Sequence, residues 1–216
     1  MNMELIQALP YLPELMSVSV IALFMAISPG ADFVMVTRNS IFFSRSAGLF
    51  SALGVGCAIW IHVTYSIAGL ALIISRSIVL FSILKYVGAA YLIYIGWKTF
   101  TSKELIDIDE PSAGHELSNG AAFKVGFMTN ALNPKTTIFF LSIFTQVVNP
   151  ETPLWMQLIY GLIISLSHLV WFSSVAIFLS HPILLQRFQN SKKIIEKVVG
   201  GVLIGFGCKV AALSHS

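Results

Sequence analysis

Two charged residues of this chain call for chemistry. Asp32 and Lys135 each follow a proline within three residues in a long apolar stretch, Asp32 in Ser28-Pro29-Gly30-Ala31-Asp32 and Lys135 in Asn133-Pro134-Lys135. A charge at membrane depth costs at least about 2.5–3.5 kcal/mol, and a cation two places into a helix also opposes the helix dipole. Lys135 is therefore expected to have an anionic partner, either a ligand carboxylate or Asp32, unless it snorkels to the interface. Asp32 has three readings. It receives a ligand ammonium group, it carries a proton, or it is an acid favoured in the first turn of a surface helix running through Phe33–Phe43.

Ser28 before Pro29 and Asn133 before Pro134 have the form of an N-cap followed by proline at the first helical position. Each pair marks a helix starting afresh, with Gly30 beside the first. Backbone groups freed at such a break survive in a membrane where they are buried in protein or line a watery cavity, and the N–H groups and positive dipole end then suit a carboxylate. The alternative is a simple proline kink or a surface turn. Asn130, one turn ahead of the second break, donates and accepts, and suits a ligand contact or a backbone carbonyl. His62 and His168 lie in apolar stretches with no charged neighbour in sequence. Imidazole titrates near neutral pH, so both are candidate proton carriers, with neutral packing as the alternative.

The elements that must position these residues are membrane helices. The 216 residues are 56% hydrophobic and 11% charged, with a mean hydropathy of +0.82, whereas soluble domains carry about 25% charged residues. Apolar residues form six blocks, roughly 12–27, 47–75, 78–99, 121–149, 154–180 and 194–213, each near the roughly 20 residues a helix needs to cross a bilayer. The expected fold is all-α and polytopic, with six transmembrane helices of which the first and fourth are broken at proline. No Lys or Arg precedes Arg38, so the basic leader of a cleavable signal peptide is missing and the first block is expected to remain as a span.

The net charge of +3 comes from 13 scattered Lys and Arg that form no basic helix face, so no nucleic-acid partner is expected. The charges instead report topology. Arg38, Arg45, Lys98, Lys103, Lys124, Arg187, Lys192, Lys193 and Lys197 fall at or near the loops after the first, third and fifth blocks, against Arg76, Lys85 and Lys209 on the other side. Basic loops stay cytoplasmic, which puts both termini in the periplasm and makes the polar, turn-rich segment 102–120 a cytoplasmic linker between residues 1–101 and 121–216. Cys57 and Cys208 lie far apart in apolar blocks and read as small fillers without a disulfide or metal role.

The halves resemble one another. Tyr91-Leu-Ile-Tyr-Ile-Gly-Trp-Lys98 parallels Val202-Leu-Ile-Gly-Phe-Gly-Cys-Lys209, Ser28-Pro29 parallels Asn133-Pro134, and His62 and His168 follow the two prolines at nearly equal intervals. Three spans per half is an odd number, so the second copy enters the membrane inverted, the plan of many secondary transporters. Ala52-x-x-x-Gly56 and Gly201-x-x-x-Gly205 permit close helix approach and read as internal packing, with a homodimer seam as the alternative.

The motifs Ser28-Pro-Gly-Ala-Asp-Phe33, Leu84-Lys-Tyr-Val-Gly-Ala-Ala-Tyr-Leu-Ile-Tyr-Ile-Gly-Trp97 and Gly126-Phe-Met-Thr-Asn-Ala-Leu-Asn-Pro-Lys135 occur in order. Together the chain resembles the lysine exporter (LysE/RhtB) family of bacterial amino-acid exporters, in particular its threonine and homoserine resistance branch. The resemblance implies a multi-pass protein of the bacterial inner membrane that exports amino acids or related metabolites, energised by the proton gradient. Its partners would be a small amino acid, protons and the bilayer, with no cofactor. The competing class, a metal-cation exporter, would want several carboxylates, histidines or cysteines within the spans. An enzyme is not expected, because no His-Glu-x-x-His, Gly-x-Ser-x-Gly or phosphate-loop pattern is present.

Overall fold

The computed structural model describes residues 9–76, 78–101, 117–149, 151–178 and 181–213, and among them there is no strand. After a 3-10 turn at Leu9–Tyr11 the helices are α1 (Leu12–Ile27), α2 (Ala31–Phe42), α3 (Arg45–Arg76), α4 (Ile78–Phe100), α5 (Asn119–Ala131), α6 (Pro134–Gln146), α7 (Leu154–Phe178) and α8 (Pro182–Leu213). The chain thus runs twice through one order: a helix, a break at proline, a second short helix, then two long helices. Most of the linker 102–120 lies outside the described residues.

Among the described residues, Arg45–Gly69 of α3 and Leu154–Phe178 of α7 are long and apolar enough to cross a membrane, and α1 with α2 qualifies as one span bent by 53°. The bend follows from proline chemistry. Pro29 has no N–H to give the carbonyl one turn back, so α1 ends at the bond from Ser28 N–H to the Phe24 carbonyl (3.0 Å), and α2 starts again with Val34 N–H on the Gly30 carbonyl (3.0 Å). One expectation is corrected here. Ser28 closes α1, and Gly30, with an extended backbone, is the N-cap of α2; Pro29 occupies the joint between them instead of the first helical position. At the second break Asn133 does cap α6, its side-chain oxygen accepting from Lys135 N–H at 3.0 Å.

The helices that flank the breaks approach closely. A β-carbon on Gly54 of α3 would overlap backbone atoms of Phe123 and Phe127, and one on Gly126 of α5 would overlap the Ser51 carbonyl. Helices α4 and α8 meet through Gly96, Gly200 and Gly207, whereas Gly201 and Gly205 have nothing within 4 Å of such a carbon. The Gly201-x-x-x-Gly205 pattern is therefore not internal packing; the helical phase turns it outward and brings the neighbouring glycine inward. Cys57 and Cys208 are likewise exposed on their helices and fill no interior space. Helix α8 begins at Pro182, a full three turns before its apolar block, because no proline or glycine interrupts the polar residues that lead into it.

Buried apolar side chains gather in two clusters on either side of the breaks. The larger joins α1, α3, α6 and α7 through Ile21, Met25, Ile59, Phe140, Phe144 and Tyr160, and the smaller joins α2, α3 and α7 through Phe33, Val36, Val55, Phe172 and Val175. A polar layer lies between them.

Candidate functional site

That polar layer is built by the two breaks together. Lys135, near the start of α6, reaches the last turn of α1, where its ammonium donates to Ser28 Oγ (2.6 Å), the Ser28 carbonyl (3.1 Å) and the Pro29 carbonyl (3.4 Å). Those carbonyls lie just past the last turn of α1, where no helical N–H follows to bond them, and they stand at the negative end of its dipole, so they compensate a cation that its own helix start repels. The atoms within hydrogen-bond distance of Nζ are thus neutral oxygens, while the Asp32 carboxylate lines the same cavity. The lysine side chain passes beside Gly30, where a β-carbon would be in ordinary contact with Nζ at 3.5 Å.

Asp32 is buried in the first turn of α2. Its Oδ2 accepts from the side-chain amides of Asn130 and Asn133, each at 3.0 Å. Oδ1 is buried with no hydrogen-bond partner, and so is Asn130 Oδ1. A carboxylate takes about four hydrogen bonds, so half of Asp32 stands ready for a donor. The residues predicted at the two breaks therefore converge: Ser28, Pro29 and Gly30 from one, Asn130, Asn133, Pro134 and Lys135 from the other.

A cavity of about 10 Å³ lies at this junction, lined by Ser28, Asp32, Asn133, Lys135, Thr136 and His168 among others, with Phe33 and Phe172 as apolar walls. It is near the size at which one water fits. His168 thus belongs to the layer directly. His62 does not line the cavity and reaches the layer only through Asn130, whose carbonyl is 3.1 Å from Nε2. Among the described residues no three His, Cys, Asp or Glu side chains converge as they would around a metal ion.

Sequence reasoning passed over Glu14. From the first turn of α1 its carboxylate accepts from Thr152 Oγ1 (2.9 Å), Tyr160 O–H (3.1 Å) and Asn149 N–H (3.3 Å), tying α1 to the α6–α7 loop. Its signal was its position, a lone acid at the start of an apolar block. Asn119 sits the same number of residues before Pro134 as Glu14 before Pro29, and its Oδ1 accepts from Ser46 Oγ in the first turn of α3 (2.9 Å).

Opposite charges held between paired broken helices, inside an apolar all-helical fold, define a membrane-embedded translocator. Residues 23–214 match the model for LysE type translocators, and the chain belongs to that family. It is 31% identical over 197 residues to the membrane protein YrhP of Bacillus subtilis (strain 168), covering 88% of this chain and 94% of that one. It is 30% identical over 196 residues to the threonine efflux protein of Escherichia coli (strain K12), covering 89% and 94%. The threonine efflux protein of Salmonella typhimurium is 28% identical over 193 residues, covering 88% and 94%. No solved structure matches the chain.

Proposed function

We propose that this translocator exports small neutral amino acids, threonine or homoserine in type, from the bacterial cytoplasm by proton antiport. The observation that carries the reading is the pairing at the breaks of one cation, Lys135, with one carboxylate, Asp32, whose Oδ1 lacks a donor. A zwitterion satisfies both: its carboxylate takes Lys135 from the α1 carbonyls and its ammonium bonds Asp32 Oδ1. A second carboxylate for a basic side chain is missing from the residues lining the cavity, which favours a neutral substrate. The relatives named threonine efflux proteins support the same class.

Coupling follows from competition at Asp32. Substrate ammonium binds the ionised carboxylate on the cytoplasmic side; a proton arriving from the periplasm neutralises it, releases the amino acid outward and returns with the carrier. Alternating access by six spans in two inverted halves, 1–101 and 121–216, is supported by the repeated element order and by the matching positions of Glu14 and Asn119 in their halves, one bonded to the α6–α7 loop and the other to the start of α3. Metal-cation export, the competing class, finds no cluster of ligands among the described residues to support it.

Counterflow in proteoliposomes against a panel of radiolabelled amino acids, with and without a pH gradient, tests substrate and coupling together. Threonine exchange accelerated by an acidic trans compartment is expected, and exchange blind to pH would defeat the antiport. Orientation is tested by alkaline phosphatase fusions: activity is expected after the last helix and none within 102–116, and the reverse pattern overturns periplasmic termini.

A further inference from the structure

Two histidines follow the two breaks at matching positions, and their hydrogen bonds differ. In His168 the Nδ1 nitrogen lies 2.8 Å from the Ile164 carbonyl of its own helix, so Nδ1 carries the proton and the ring lines the cavity. In His62 the bonds leave the cavity out. Nε2 lies 3.1 Å from the Asn130 carbonyl and Nδ1 lies 2.6 Å from the Tyr65 hydroxyl. A carbonyl only accepts, which fixes the His62 proton on Nε2 and leaves Nδ1 to accept from Tyr65 O–H. The ring is fully buried and stacks on Phe140, centroids 5.3 Å apart and planes at 19°.

The neutral ring therefore uses both nitrogens, and a second proton on Nδ1 would require the Tyr65 hydroxyl to turn from donor to acceptor. The groups that face it are Tyr65 from α3, Asn130 from α5 and Phe140 from α6; the charged Asp32 lies one residue further, beyond Asn130, and Lys135 is held at the end of α1.

What His62 grips is the carbonyl most affected by the second break. In an unbroken helix the Asn130 carbonyl would accept from the N–H of residue 134, which here is a proline. Asn133 N–H takes that place at 2.9 Å, and His62 takes the remaining lone pair. The side-chain amide of the same Asn130 donates to Asp32 Oδ2 at 3.0 Å. We infer that His62 is a positioning residue, which with Tyr65 behind it fixes the Asn130 backbone at the helix break and so aims the Asn130 amide at Asp32, and that it does not carry the coupled proton. This rests on the reading of Asp32 as the charged group of the transport site.

The test compares His62→Gln, His62→Asn and His62→Leu with wild type in proteoliposomes, reading KM for threonine, the pH profile and uphill export. Glutamine can donate to Asn130 and cannot titrate; asparagine is too short and leucine donates nothing. Uphill export with a wild-type pH profile is expected in His62→Gln. His62→Asn and His62→Leu should raise KM about 3- to 10-fold, the effect of one net hydrogen bond, and neither should add to the defect of Asp32→Asn in exchange. Should His62→Leu fail to insert, the glutamine and asparagine pair decides. Loss of uphill export with retained exchange in His62→Gln would make His62 a proton carrier and overturn the inference, as would a wild-type KM in His62→Asn. Wild-type export by Asp32→Asn defeats the Asp32 reading instead, whatever the histidine variants do.

Discussion

Replacing Lys135 with methionine keeps the length and most of the volume of the side chain while removing its charge. In the closed protein the ammonium has three oxygen partners on Ser28 and Pro29, and only the hydroxyl bond, at 2.6 Å, is short. During transport one charge-assisted bond to a substrate carboxylate would replace part of this set. A hydrogen bond to a charged group contributes about 1.5–3 kcal/mol, which corresponds to about 10- to 150-fold in affinity. Counterflow measured over a range of threonine concentrations should therefore show KM raised by that factor in Lys135→Met, with the protein present in the membrane in normal amount. Arginine should restore little, because the cavity beside Lys135 is only about 10 Å³ and a planar guanidinium needs more width than an ammonium. A purely structural cap on α1 would instead lower melting temperature and leave KM alone. That outcome, or wild-type transport, refutes the assignment of Lys135 to the substrate.

Asp32→Asn preserves an acceptor for the Asn130 and Asn133 amides, so it should fold and lose uphill export; if Asp32 both binds ammonium and carries the proton, exchange falls with it, and full gradient-driven export would reduce Asp32 to a helix-start acid. Glu14→Ala should free the α6–α7 loop, so that Val148→Cys in a cysteine-free background, buried at 2% exposure in the parent, reacts several-fold faster with an impermeant thiol reagent; an unchanged rate removes Glu14 from that closure. Gly126→Ala sets a methyl group into the Ser51 carbonyl of α3 and should cost about 1–3 kcal/mol by overpacking, read as a lower melting temperature in detergent.

The breaks were legible because proline acts through its own covalent structure: a missing N–H ends a helix whatever surrounds it. Lys135 was legible for a similar reason, since the cost of a buried cation belongs to the residue itself. Its partners were not. They are the hydroxyl and carbonyl of Ser28 and the carbonyl of Pro29, more than a hundred positions away at the other break, and no residue type announces a freed carbonyl. Ser28 was misread as a cap because Ser before Pro and Asn before Pro look alike in sequence, while at the first break the chain runs extended through Gly30 before resuming a helix. Glu14 went unremarked since its partners are a threonine, a tyrosine and a backbone N–H on a distant loop. The glycine pattern at Gly201 and Gly205 failed by one step of helical phase, as spacing alone does not tell which face of a helix meets its neighbour.

The closed state also bears on which end opens first. A cavity of about 10 Å³ holds about one water and cannot hold an amino acid, so loading requires one of the two apolar clusters to part. At the α6–α7 end the barrier contains Phe140, Phe144 and Tyr160, all fully or almost fully buried, and Glu14 adds three hydrogen bonds to a carboxylate. At the α2–α3 end the cluster is smaller, and the matching bond from Ser46 to Asn119 is single, neutral and exposed. Bonds to an ionised acceptor are about twice as strong as neutral ones, and exposed bonds exchange with water at little cost. Separation at the α2–α3 end is therefore the easier motion. On the proposed topology, with both termini in the periplasm, that end faces the cytoplasm, so the proposed exporter would open first toward the compartment from which it must load, its firmer outer closure parting after substrate has reorganised Asp32 and Lys135.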